Sequence, residues 1–175
     1  MVKICTIILA CMVVVHNCAI AMIKPQLEVP TVTQVYFSLA QEEQEQAPVE
    51  VKAKAADMSV SEYKFFSAVV EAESDRKKGP IEGRVMIAIV ILNRVDSKKF
   101  PNTITKVLKQ RGQFSVVSSG AYRRVGRTGR SDRAVIEAVR RKKQGSAPNV
   151  LYFRSGHYFR GHRRYGKVED NYFSY

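Results

Sequence analysis

Three carboxylates crowd the stretch Val69-Val70-Glu71-Ala72-Glu73-Ser74-Asp75, directly behind the apolar run Tyr63-Lys64-Phe65-Phe66-Ser67-Ala68. A glutamate at the C-terminal end of an apolar helix is partly desolvated by its neighbours, and desolvation favours the protonated form. The negative end of the helix dipole pushes the same way. Such a carboxyl can act as a general acid near neutral pH. Glu71 and Glu73 cannot work as a facing pair, because residues two apart on a helix point to different sides. A glycosidase using two carboxylates about 5 to 9.5 Å apart across the scissile bond is therefore not built from this motif by itself. Solvated side chains at a helix end are the bland alternative for all three acids.

The elements that must hold this stretch follow from periodicity. Ser59 or Ser61 caps a first helix, Glu62 falls in its first turn, and Phe65, Phe66, Val69 and Val70 recur at helical spacing. The run Val85 to Leu92 is apolar all round. Five of its eight residues are β-branched, which favours a strand, yet its polar flanks also permit a buried helix. Asn102-Thr103 opens a short amphipathic helix carrying Ile104, Val107 and Leu108. Gly112 to Val117 and Ala121 to Val125 flank Ser118-Ser119-Gly120, a pattern that predicts a β-hairpin. Ser131-Asp132 caps a helix reaching about Lys143, which ends in four cations and is stopped by Gly145 and Pro148. The aromatic tail, 150–175, is read as irregular.

Residues 1–21 have the pattern of a signal peptide: Lys3, an apolar run from Ile4 to Val15, and Ala19-Ile20-Ala21 as a cleavage site. Lipidation at Cys11 and retention as an anchor are the alternatives; the apolar run falls short of the roughly 20 residues a span needs, so no stable membrane anchor is expected. All three cysteines lie in this segment, which removes disulfides, thiolate nucleophiles and zinc-thiolate sites from the rest. Residues 22–58, rich in Gln, Glu, Pro, Ala and Lys, read as a flexible linker, with a short helix possible around Val35 to Gln41. The domain is then 59–175. It holds ten acids against 25 bases, close to +15, which points to an anionic polymer as partner. Nucleic acid is the usual partner for such charge; export argues instead for a polymer of the cell envelope. His157 and His162 have no carboxylate at matching spacing, so neither a metal nor a cofactor is expected.

Glu71-Ala72, Glu82-Gly83, Val90 to Val95 with its LNRV, Phe100-Pro101-Asn102-Thr103-Ile104, Gly112-Gln113-Phe114-Ser115 and Leu151-Tyr152-Phe153 occur here in one order. With the closing segment from Gly166 they resemble the catalytic domain of the SleB-like cell wall hydrolases. The resemblance implies a mainly α (α+β) fold: a lysozyme-like helical domain with a small β-hairpin element, in which Val85 to Val95 is the buried central helix. It also implies cleavage of peptidoglycan glycan strands between N-acetylmuramic acid and N-acetylglucosamine, as a lytic transglycosylase with one glutamate serving as acid and then base. The glutamate of the family's EA pair maps to Glu71. Gln113 and Ser115 are then candidates for hydrogen bonds to the sugar, and Tyr152 for support at the reacting ring. Asn93 and Arg94 are read as structural, and Phe100, Phe114 and Phe153 as core. The eleven residues from Glu71 to Glu82 exceed the family's interval, with the basic Arg76-Lys77-Lys78 inside, and Glu73 stands where the family often has Arg or Gly, so it is read as solvated. Alternatives are a hydrolytic muramidase, a phage endolysin released from an N-terminal anchor, and a non-catalytic binder of anionic wall polymer.

Overall fold

A computed structural model describes residues 31, 33, 46–74 and 80–175. The expected signal peptide, Asp75, the basic loop 76–78 and the possible helix near Val35 lie outside the described residues. The chain divides into two units, Met1–Leu39 and Ala40–Tyr175.

The second unit has seven described helices: α1 (Val49–Ala55), α2 (Val60–Glu73), α3 (Glu82–Asp96), α4 (Ile104–Leu108), α5 (Ser115–Ser118), α6 (Ala121–Val125) and α7 (Gly129–Lys143). Three strands come after them, β1 (Tyr152–Ser155), β2 (Arg164–Val168) and β3 (Asn171–Ser174). The ambiguous apolar run is helical. Every residue from Val85 to Ile91 is buried in α3, so the helix is enclosed by its neighbours and tertiary packing overrides local β-preference. The helix packs on α2, α4, α7 and the sheet. Ser59 caps α2, accepting from the Glu62 N–H at 3.2 Å. The Glu62 carboxylate in turn accepts from the backbone and hydroxyl of Thr105, tying α4 to the start of α2.

Four expectations need correction. The segment 112–125 is not a hairpin: it forms the one-turn helices α5 and α6, with Gly120 at φ 71° between them. A serine pair before a glycine serves a helix–turn–helix link as readily as a strand turn, since both need a left-handed residue. The β-element is instead the aromatic tail, an antiparallel sheet of order β1-β3-β2 in which Phe153 lies opposite Phe173. Its Tyr, Phe and Val content is what pleated surfaces favour. The last helix starts earlier than expected, with Thr128 as cap and a reciprocal box: the Thr128 hydroxyl accepts from the Ser131 N–H, and the Ser131 hydroxyl from the Thr128 N–H.

The fourth correction concerns the linker. Its last part is the helix α1, whose Ala53, with Ala56 just beyond it, enters the core. The Lys52 ammonium reaches the buried Asp132 carboxylate at 3.0 Å, and Arg127 bonds the same oxygen. A lysine surrounded by Ala and Val reads as a solvated linker residue until a partner 80 positions away is known.

The sheet is fastened to the helices at both ends of α3. Near the start, the Gly83 N–H donates to Glu169 Oε1 at 3.0 Å, and a Cβ at position 83 would stand 2.6 Å from Glu169 Oε2. Glycine is what lets the carboxylate reach this helix end, where the dipole favours negative charge. Near the finish, Asn93 Nδ2 donates to the carbonyls of Pro148 and Val150 at 2.9 and 2.8 Å, and Arg94 Nε to that of Leu151 at 2.8 Å. Both residues are structural, as expected, but they hold the segment entering β1 and not the loop after α3.

Candidate active site

Helix α2 carries Glu71 and Glu73 in its last turn, and their two-residue offset sends them into different surroundings. Glu71 continues the buried stripe of Tyr63, Ser67 and Val70 and is 7% exposed. Its carboxylate is held by Arg84 of α3, itself 0% exposed, through Nε at 3.0 Å and Nη2 at 2.8 Å. The Thr128 hydroxyl adds a third bond at 2.7 Å. Burial pushes this carboxyl up. The Arg84 and Thr128 hydrogen bonds, followed by the charges of Arg84 and Arg130, outweigh it and leave the carboxyl below its ordinary value. The environment of Glu71 favours the anion more than desolvation alone would suggest, because its burial is matched by a bidentate cation.

Glu73 is turned the other way, to a cleft of about 480 Å³. The end of α2 supplies Ala72 and Glu73, the segment entering α5 supplies Gln113 and Ser115 with Val116, and the sheet supplies Phe153, Arg154, Ser155 and Asn171. Phe159 closes one side. Among the described residues lining this cleft, Glu73 is the one carboxylic acid. It is half-buried, with Oε1 closed to solvent, so it is not the fully solvated residue expected.

Of the residues singled out from sequence, Gln113 and Ser115 meet at this cleft and are exposed to it. They do so from a turn and a short helix, not a hairpin. Tyr152 does not line it. Its ring stands edge-on to His162 at 4.3 Å and packs near Phe100 and Phe159. Aromatic rings also surround Arg94, whose guanidinium lies 4.9 Å from the centroid of Phe100, 5.5 Å from Phe114 and 5.9 Å from Tyr152. Burial holds Arg94 down to about 10, while the charges of Tyr152 and Glu73 pull it up. Arg94 is thus a buried cation within electrostatic range of Glu73. Phe114 is core, as expected, and Phe153 packs against the core while also lining the cleft.

The sequence reading set Glu73 aside as a solvated residue and assigned no site role to Arg154, Ser155 or Asn171. Helical phase was the available signal for the first: Glu71 falls eight residues after Tyr63 on the core-facing stripe, so it needs a buried partner, while Glu73 lies off that stripe. Among the described residues no group of three His, Cys, Asp or Glu side chains is placed to hold a metal ion. None of the described helices is long and apolar enough to cross a membrane.

Known proteins resemble this domain in sequence and fold. The spore cortex-lytic enzyme of Bacillus subtilis (strain 168) is 41% identical over 61 residues, which span 34% of this chain and 19% of that relative. The catalytic domain of the germination-specific lytic transglycosylase SleB from Bacillus anthracis superposes with a TM-score of 0.56 at 27% identity, covering 67% of this chain and 96% of that one. The SleB catalytic domain of Bacillus cereus gives 0.57 at 27% identity, covering 67% and 91%. Both matches agree with a mainly helical domain carrying a small sheet. The model of the Cell Wall Hydrolase family covers residues 78–173, more than half of the sequence and all of the cleft except the end of α2. The chain belongs to the Cell Wall Hydrolase family.

Proposed function

We propose that this domain degrades peptidoglycan by cleaving the bond between N-acetylmuramic acid and N-acetylglucosamine, with Glu73 and not Glu71 as the acid. The observation that carries the assignment is the opposite placement of the two carboxyls: Glu71 is occupied by Arg84 and Thr128, and Glu73 lines the open cleft beside Gln113 and Ser115. Glu73 also stands nine residues before Glu82, which narrows the interval by which this sequence departs from its family, with Glu73-Ser74 replacing the EA pair. The relatives named for lytic transglycosylase and cortex-lytic activity support the substrate class.

A single acid among the described lining residues favours anhydro product over hydrolysis, because none of the others is a carboxylate able to activate water or attack the sugar. Protonated Glu73 donates to the glycosidic oxygen, and the bond to the muramoyl C1 breaks with oxocarbenium character. The resulting carboxylate takes the proton of the muramoyl C6 hydroxyl, whose oxygen closes on C1. The product is a 1,6-anhydro ring, the acid is regenerated and no water is consumed. Gln113 and Ser115 can hydrogen-bond N-acetyl and hydroxyl groups of the bound strand.

Glu73→Gln keeps the side chain's size and removes the transferable proton, so muropeptide release from purified sacculi should fall by a factor of about 10² to 10⁴. Mass spectrometry of the wild-type products separates the chemistries. Anhydro ends support the transglycosylase, and reducing ends carrying an added water show a hydrolytic muramidase at the same site.

A further inference from the structure

Beside the glutamate cleft lies a second one of about 460 Å³, formed by the loop from Gly156 to His162 with Arg164 and Tyr172. Phe159 is a wall of both, so the two are neighbours along one surface. From Arg154 to Lys167 the chain carries four arginines, one lysine and two histidines without an acid. Some cations elsewhere in the domain, Lys52, Arg84, Arg127, Arg140, Arg141 and Lys142, are neutralised by carboxylates, while others such as Lys106, Arg111 and Arg124 form no ion pair with a described residue. None of the five between 154 and 167 forms an ion pair with a described residue.

Four of them are backed onto aromatic rings, among them Arg163, whose guanidinium lies 3.9 Å from the centroid of Tyr175. The Arg154 guanidinium lies 4.9 Å from the centroid of Phe159, Arg164 4.9 Å from Tyr158, and the Lys167 ammonium 5.3 Å from Tyr172. Tyr158 and Tyr172 meet edge-on at 4.8 Å, making the ledge continuous. An aromatic face orients a guanidinium without using its N–H donors, and these stay available to an anion. Gly156 and Gly161, at φ 86° and 82°, turn the loop that presents Arg160 and His157 to the same cleft.

We propose that this cleft is an anion-binding extension of the catalytic groove, which takes a carboxylate or phosphate carried by the strand whose glycosidic bond lies at Glu73. Its place next to the acid rests on the proposed peptidoglycan activity. In that polymer the two sources of such an anion are the stem-peptide carboxylate and a phosphodiester side chain. The extension fixes register: an anion held on the loop sets which sugar reaches Glu73.

Pelleting with purified sacculi tests this in a Glu73→Gln background, where cleavage should be strongly reduced. Arg160→Gln with Arg164→Gln should weaken binding about fivefold to tenfold at low salt, the scale of two lost exposed charge contacts. Arg123→Gln with Arg124→Gln on α6 removes the same charge outside both clefts and should change binding less than about twofold. The difference should vanish on sacculi with amidated stem carboxylates if those are the ligand, or on sacculi stripped of phosphodiester polymer if that is. Equal weakening by both pairs, no weakening by either, a difference that survives both treatments, or tighter binding to single-stranded DNA than to sacculi would each overturn the proposal. Release of muropeptides by the otherwise wild-type chain is scored separately, so loss of the glycosidase reading and loss of the anion subsite are distinguishable.

Discussion

Replacing Glu71 by glutamine separates the two glutamates more sharply than any change at Glu73. The carboxylate accepts from Arg84 Nε and from Thr128 on Oε2, and from Arg84 Nη2 on Oε1. A glutamine amide must place its NH₂ at one of these positions. In one orientation it faces two donors, in the other it faces Nη2, so at least one guanidinium bond is lost either way. The Arg84 guanidinium, 0% exposed, then faces a neutral amide in place of the Glu71 carboxylate. Breaking a buried ion pair from one side costs about 3 to 5 kcal/mol, and the retained amide oxygen places this case near about 3. For a domain of this size that is a fall in Tm on the order of 10 °C. The sign with pH comes from the depressed carboxyl: its stabilisation is complete above the ordinary value of 4.5 and is lost as pH falls through the lower folded value. Thermal unfolding by circular dichroism should therefore show a gap between wild type and Glu71→Gln that is widest near neutral pH and closes in acid. At a temperature where both are folded, the variant should release muropeptides within a few-fold of wild type. A Glu71→Gln protein that melts like wild type yet has no activity would refute the reasoning and return the acid role to Glu71.

The same contacts set three other outcomes. Gly83→Ala should destabilise by about 1 kcal/mol in urea unfolding although alanine favours helices, because the Glu169 carboxylate must leave the α3 terminus and a charge-assisted bond goes with it. Asn93→Ala uncovers the carbonyls of Pro148 and Val150 and should cost about 2 to 4 kcal/mol, read as a lower denaturant midpoint with unchanged slope. A chain started at residue 59 should be less stable than one started at 46 by more than about 2 kcal/mol, since it loses the Lys52 partner of Asp132 together with Ala53 and Ala56.

Legibility from sequence depended on whether the deciding contact was local. The cap at Ser59 and the end of α7 at Lys143 were readable because the residues that decide them lie within a turn or two. The helical state of Val85 to Ile91 was not given by its own residues; the family resemblance supplied what burial among four neighbouring elements enforces. The hairpin expected at 112–125 failed because Ser118-Ser119-Gly120 fixes a left-handed turn without saying what it joins. At the site, Gln113 and Ser115 were found through motif order, and the proposed acid lies two residues beyond the glutamate that the motif names. The contact that argues against Glu71, its pairing with Arg84 thirteen positions along, depends on how α2 crosses α3.

The bond between Gly83 and Glu169 joins residues 86 apart, and the Asn93 contacts bridge 55 and 57. One whole side of the cleft, Phe153 to Ser155 with Asn171, is brought in by these fastenings. During synthesis α2 and its glutamates emerge long before the strands that enclose them. Because such distant pairings form late, the nascent chain carries an acid with no groove around it. On the proposed assignment of Glu73, the cleft that would hold the strand is complete only once the sheet has docked.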